Sequence, residues 1–460
     1  MTSDARLWFE AALLPGGWSR AVRLRTRDGR ISGVEHDVVP VDGDERHGIA
    51  LPGLANVHSH AFQRAMAGLT GQRGPENDNF WTWREVMYHF VCRLEPEDVF
   101  AISALAFIEM LESGFTRVGE FHYVHHAIDG RPYDDIGELA AQIVAAAEET
   151  GIGLTLLPVF YAHASFGEAQ AQPTTGQRRF ICTLDEFSRL LEAAEHHVRR
   201  LPNAVVGVAP HSLRAVNPHE LEAVTGLRPH APLHIHAAEQ VREVEDCMAW
   251  SGQRPVAWLL NHADVDERWC FVHATHVDAA EIHGMIGRGV VAGLCPVTES
   301  DLGDGIFPAL SYLSQGGRFG VGTDSNVMIQ AAVELRTLEY AQRLLHRQRN
   351  VLASRSGTST GRSLFEAALA GGAQAVGCRS TDAPGLAVGR PADFFTLDAT
   401  HASLVGRSGD SLLDSWIFGT RTSPVDGVWR HGRRVVRSGR HVARDAIEAR
   451  YRAAVRRLAS

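Results

Sequence analysis

From about residue 51 to about residue 385 the chain alternates two hydrophobic patterns. Short, nearly unbroken apolar runs occur at 53–57, 116–120, 155–160, 205–209, 232–236, 271–273, 290–294 and 319–322. Runs of that length read as strands covered on both faces. Between them lie longer stretches with a helical stripe. In 134–151 the residues Ile136, Leu139, Ala140, Ile143, Val144 and Ala147 share one face, and Gly151 is placed to end the helix. A similar helix is predicted over 364–376, stopping at Gly377. Eight strand–helix repeats in roughly 330 residues predict an α/β fold, a (β/α)8 TIM-like barrel. An open doubly wound sheet is the alternative, but no GxGxxG follows the first strand.

The two ends of the chain differ from this middle. Short strands are predicted at 21–25 and 31–35 around the turn Arg27-Asp28-Gly29-Arg30, and again at 392–397 and 433–437. Neither end carries enough apolar surface to stand alone. Residues 1–50 and 386–460 are therefore expected to form one discontinuous β-sandwich domain with a C-terminal helix, leaving 51–385 as the barrel. The stretch 68–90, with Trp81 and Trp83, is too long and aromatic for an ordinary turn and reads as a loop enclosing substrate. Residues 164–179 read as a second surface loop.

Charge and composition narrow the function. The 460 residues carry 45 Lys+Arg against 54 Asp+Glu, a net charge of −9, which gives no reason to expect a nucleic acid or an anionic membrane as partner. No apolar leader and no run of about 18 uncharged apolar residues is present, so a cytoplasmic protein is expected. The six cysteines form no CxxC pair. All 45 basic residues are arginine, and the absence of lysine excludes Schiff-base chemistry, a Walker A loop and a metal pair bridged by carboxylated lysine.

Histidine is abundant, 24 of 460, so about one HxH pair is expected by chance. The position of His58-Ser59-His60 says more, because the pair ends an apolar strand, the edge at which barrel sites form. Three further groups lie at strand ends: His234-Ile-His236 with Glu239 three residues on, His273 with His276, and Asp324. Strand parity puts His234 and His236 on one side and does not choose between them, although His236 is nearer the C-terminal end. Imidazoles and a carboxylate from different strands suit a divalent ion such as Zn2+ with a position left for water, and Glu239 is placed to shuttle a proton.

These motifs, Pro52-Gly-Leu-Ala-Asn-Val-His58-Ser-His60, His236-Ala-Ala-Glu239, His273 and Thr323-Asp324-Ser325, resemble those of the amidohydrolase superfamily, and the likeness spans nearly the whole chain. The lack of lysine and the His236-x-x-Glu239 pair resemble its mononuclear aminohydrolase branch, in which water displaces ammonia from an amidine-like carbon. The resemblance implies one divalent metal, Zn2+ by expectation, on His58, His60, His236 and Asp324. It also implies Glu239 as acid and base, with His273 and Asp324 as catalytic partners. His60-Ala-Phe-Gln63, Phe80-Trp-Thr-Trp-Arg84, Glu120-Phe-His-Tyr123 and His211-Ser-Leu-Arg214 resemble members that remove the imino nitrogen from a formimino group on glutamate, a step of histidine breakdown. Gln63, Arg84, Tyr123, His211 and Arg214 then become substrate contacts, with Arg84 and Arg214 suited to carboxylates.

The expected partner is thus a small anionic molecule derived from an amino acid, and the fold class makes a homodimer the expected assembly. His234, His276 and Asn326 are candidate supports behind the site. The alternative is a purine or guanidino-compound deaminase, for which Trp81 and Trp83 would supply a stacking wall. A catalytically dead assembly protein would have lost ligands that are all present here.

Overall fold

The structure, a computed structural model, describes residues 4–74, 78–167 and 173–459. Four strands, β1 (Ala5–Leu14), β2 (Gly17–Arg27), β3 (Arg30–Glu35) and β4 (Glu45–Pro52), precede the barrel. The barrel strands are β5 (Leu54–Ser59), β6 (Phe115–His122), β7 (Gly153–Phe160), β8 (Val205–Val206), β9 (Ala209–Pro210), β10 (Leu233–Ala237), β11 (Trp269–His273), β12 (Val291–Leu294) and β13 (Arg318–Val321). Four more follow: β14 (Phe394–Leu397), β15 (Val425–Arg430), β16 (Arg433–Arg437) and β17 (Arg440–His441).

All barrel pairings are parallel, and β8 and β9 are two pieces of one interrupted strand beside β7. The curled sheet returns on itself where β13 meets β5 at Val321 and Asn56, and where Ser59 bridges Asp324. Between β9 and β10 the seam is laced only by bridges, Val208 to Leu233 and Ser212 to His236. The predicted strands all appear, shifted by a few residues at most, because each is covered on both faces. The helix Thr360–Ala375 lies against β13 so closely that a Cβ at Gly371 would sit 2.0 Å from the Phe319 carbonyl oxygen.

The terminal segments form one continuous mixed sheet ordered β17-β16-β15-β14-β4-β1-β2-β3. The small unit expected as a sandwich is one sheet of both termini that curls back on itself, with Arg30 bridging Pro391, around its own core of Leu7, Phe9, Val22, Leu24, Phe394 and Trp429. Asp28 and Gly29, at φ of 49° and 75°, make the two-residue turn between β2 and β3 that the sequence predicts. Among the described residues, no helix is long and apolar enough to cross a membrane.

Two loop expectations are corrected. The stretch 68–90 contains a helix, α1 (Phe80–Val91), capped by Asn79, whose side-chain oxygen accepts from Trp81 and Thr82 while Thr82 returns a bond to the Asn79 backbone. This Asn-x-x-Thr box, rather than the aromatic content, decides the local structure; residues 75–77 lie outside the described ones. In 164–179, of which 168–172 lie outside the described residues, Arg179 is fully buried rather than on a surface loop.

Arg179 explains how α1 is held. Its Nε donates to the His126 carbonyl at 2.7 Å and its Nη1 to the carbonyls of Val91 and Leu94 at 2.6 and 2.8 Å. One guanidinium therefore ties the end of α1 to the loop after β6. Arg179→Met fills similar space but strips the His126 and Leu94 carbonyls of their donor and leaves Val91 only the Leu94 N–H, so it is expected to lower unfolding free energy by about 3 kcal/mol in urea titration. A change below about 1 kcal/mol would show that water takes over these bonds.

Candidate active site

Parallel strands bring their C-terminal ends to one rim, and the predicted residues meet there. A register shift in the β5–β6 pairing between Asn56 and Ser59 breaks the regular ladder just before His60. Ala238, His273, Ala274 and Asp324 follow or end their strands with φ of 52°, 66°, 49° and 42°. A left-handed backbone costs a non-glycine residue about 1–2 kcal/mol, so each must be held by its surroundings. The holding bonds are present. Thr323 and Asp324 N–H both donate to the His58 carbonyl at 3.0 Å, and His60 N–H donates to the Asp324 carbonyl at 2.9 Å. The Asn326 amide reaches Ser59 Oγ and the carbonyls of His60 and Asp324 at 2.9–3.1 Å.

The Nε2 atoms of His58 and His60 are 3.2 Å apart, as are those of His58 and His236. Asp324 Oδ1 lies 3.4 Å from the first and 3.3 Å from the second. Nδ1 of His60 donates to the Phe121 carbonyl at 2.9 Å, and Nδ1 of His236 to the His211 carbonyl at 3.1 Å. Those bonds place the ring protons on Nδ1, so two bare lone pairs face the same point. Burial keeps all three imidazoles neutral, pulling His58 down to about 3 and His60 and His236 below their ordinary value. Burial works against the Asp324 carboxylate, but its hydrogen bond to His58, with the His60 ring beside it, holds it below the usual range. Four donors at these separations fit the edges of a tetrahedron around an ion at about 2.0–2.1 Å. The donor set therefore fits one divalent metal.

Glu239 follows β10, where the Glu243 carboxylate accepts the N–H groups of Ala238 and Glu239 at 3.2 and 3.1 Å. Burial raises its own carboxyl to about 7, against the opposing charges of His273 and Arg214. His273 Nε2 lies 3.8 Å from Glu239 and 3.9 Å from Asp324, facing the same space. Behind it, Nδ1 meets Glu299 Oε1 at 3.2 Å, and that oxygen also accepts Cys295 N–H at 2.8 Å. Burial alone would lower His273, but Glu239 and then Glu299 raise it to about 10. His273, Cys295 and Glu299 crowd together as a second buried trio. Their carboxylate is already engaged with the other two, which makes the trio a support for the ring.

A cavity opens above these groups, and Gln63, Arg84, Tyr123, His211 and Arg214 all line it. Gln63 Nε2 donates to the Tyr123 hydroxyl at 2.8 Å, leaving Gln63 Oε1 without a partner among the described residues. Arg84 and Arg214 lean over Trp81, with guanidinium carbons 4.6 and 5.5 Å from its ring centroid. The Nε of each is buried without a partner among the described residues. Trp81 thus backs the arginines, while Trp83 is the tryptophan on the wall. His211 is kept neutral by burial and by Arg214.

Of the supports, Asn326 reaches the loop as expected. His276 donates to the Asp304 carbonyl at 2.8 Å, and His234 donates to the Ala375 carbonyl at 2.7 Å, a level below the site. Sequence reasoning missed Glu243 and Glu299. Glu243 stands in the first turn of a helix and could have been suspected as a cap; Glu299 offers no local signal.

A family profile described as the Amidohydrolase family matches residues 49–435, and one described as "Formimidoylglutamate deiminase HutF, N-terminal domain" matches residues 7–48. Formimidoylglutamate deiminase of Pseudomonas aeruginosa is 50% identical over 443 residues, covering 95% of this chain and 96% of the relative. A 5-methylthioadenosine/S-adenosylhomocysteine deaminase of Natronomonas pharaonis is 28% identical over 77% of this chain and 74% of its own. Among solved structures, an amidohydrolase from Brucella melitensis superposes with a TM-score of 0.95 at 51% identity, covering 99% of this chain and all of that one. An adenosine deaminase from Xanthomonas campestris with bound zinc shares the fold, with a TM-score of 0.82 at 23% identity over 99% of this chain and 98% of its own.

Two expectations follow. His236→Asn should lower bound metal from one ion per chain to below about a tenth, as read by elemental analysis after gel filtration. Glu299→Gln should keep the metal while lowering turnover about 10–100-fold, the scale of a lost orienting partner; unchanged turnover would remove its role in holding His273.

Proposed function

The chain belongs to the amidohydrolase family, and on that footing we propose that its metal-dependent hydrolytic deimination converts N-formimino-L-glutamate to N-formyl-L-glutamate and ammonia, a step of histidine breakdown. One observation carries the choice of substrate: a cavity with a cation-binding cluster at its floor and, on its wall, two guanidinium groups each with a buried, unused Nε. A linear dianion with a compact HN=CH–NH head matches both ends. The 50% identical relative named for this activity supports the same reading.

In this reading His58, His60, His236 and Asp324 hold one ion, for which three imidazoles and a carboxylate make zinc the assignment. The ion supplies Lewis acidity that makes water a source of hydroxide near neutral pH. Glu239, poised near neutrality by burial, takes the proton that the attacking water gives up and passes it to the terminal imino nitrogen. His273 steadies the oxygen as it adds to the formimino carbon. The second proton of that water follows through Glu239 to the same nitrogen as the C–N bond breaks, so ammonia leaves and the former water oxygen remains as the formyl carbonyl. Arg84 and Arg214 bind the carboxylates, Gln63 and Tyr123 direct hydrogen bonds to the head, and neutral His211 closes the wall. A homodimer is the assembly we assign, to be read by light scattering.

Ammonia release from N-formimino-L-glutamate by the metal-loaded protein tests the reading, with 5-methylthioadenosine and guanine as controls. Chelator-sensitive turnover of the formimino compound alone is expected. Ammonia from a purine instead would transfer the assignment to the aromatic wall at Trp83. Glu239→Gln should retain the ion and lose at least about a hundredfold in kcat at neutral pH; full turnover by that variant would sink the proton-shuttle role.

A further inference from the structure

One cavity donor that the proposed mechanism does not use is held in a fixed sense. Tyr161 follows directly on β7, lines the cavity, and packs its ring 4.7 Å from His211. Its hydroxyl meets the side-chain amide of Gln177 at 2.8 Å in the buried interior. The Gln177 amide has a fixed sense. Its Oε1 accepts the backbone N–H of Thr174 at 2.9 Å, and a main-chain N–H can only donate. The NH2 end therefore faces Tyr161, and since that group also only donates, the tyrosine oxygen is the acceptor. The hydroxyl proton is left unspent, and no other bond takes it among the described residues. Arg214 is within electrostatic reach of this phenol.

We propose that Tyr161 is a substrate-binding residue whose hydroxyl donates to the carboxylate paired with Arg214, with Gln177 as the positioning residue that keeps the proton turned into the cavity. The inference rests on the substrate reading given above. It makes the Arg214 end of the cavity a place where side chains only donate. A carboxylate satisfies such a place with two acceptor oxygens, whereas a carboxamide must turn an NH2 toward a donor.

The test is steady-state kinetics on the metal-loaded enzyme with N-formimino-L-glutamate and with two monoanionic analogues, one lacking the α-carboxylate and one the γ-carboxylate. Tyr161→Phe is expected to raise KM at least about tenfold with kcat within about threefold, metal content unchanged, and the penalty lost with one analogue only. Gln177→Glu can still accept from Thr174 but also accepts the tyrosine proton, turning it away. It should reproduce the KM defect and add little to Tyr161→Phe in the double variant. An unchanged KM in Tyr161→Phe, an equal penalty with both analogues, or multiplying defects in the double variant overturns the assignment. A wild-type enzyme silent toward N-formimino-L-glutamate removes the substrate reading itself, and the Tyr161 role falls with it.

Discussion

Three imidazole nitrogens and a carboxylate oxygen, all buried, converge to separations of 3.2–3.4 Å. Lone pairs at such distances repel one another unless a cation lies between them. Much of the rim can be understood as what holds that arrangement in place. Nδ1 of two of the rings is pinned to main-chain carbonyls, and the left-handed turns after β10, β11 and β13 aim the side chains inward. Asn326 binds three acceptors at once so that the Asp324 loop cannot relax. The fold thus spends backbone strain where the chemistry is, and secures it with hydrogen bonds that solvent does not reach.

Above this floor the cavity changes character over a short distance. Near His273 it is a place where protons are held and released, with a carboxyl near neutrality and an imidazole raised by two acidic neighbours. Near Arg214 it offers fixed positive charge backed by the Trp81 ring. The helix α1 supplies much of the wall between the two, and its far end is fastened by Arg179. In the proposed reading, binding and chemistry therefore depend on different elements: carboxylate recognition on the inserted helix and loops, proton traffic on the strand ends.

Much of this was legible in the residues. Barrel strands are covered on both faces, so their apolar runs are short and unmistakable, and strand-end histidines stand out against them. Parity could not separate His234 from His236, because both point inward; depth along the strand decides, and two residues down His234 meets a carbonyl instead of the site. The helix α1 was obscured by its aromatic content, though its Asn79 and Thr82 cap was in view. Glu299 could not be read locally at all. It belongs to a seven-residue helix, Pro296–Leu302, and its role exists only because that helix passes behind His273.

The terminal sheet has a consequence for how the chain is made. β4 is flanked by β1, which is synthesised before it, and by β14, which begins roughly 340 residues later. At the pace of translation, that neighbour arrives on the order of tens of seconds after β4 has left the ribosome. Until then β4 presents an open edge, the kind of surface that recruits strands from other chains. The nascent protein must shield that edge, or tolerate it, for the whole time the barrel is being built.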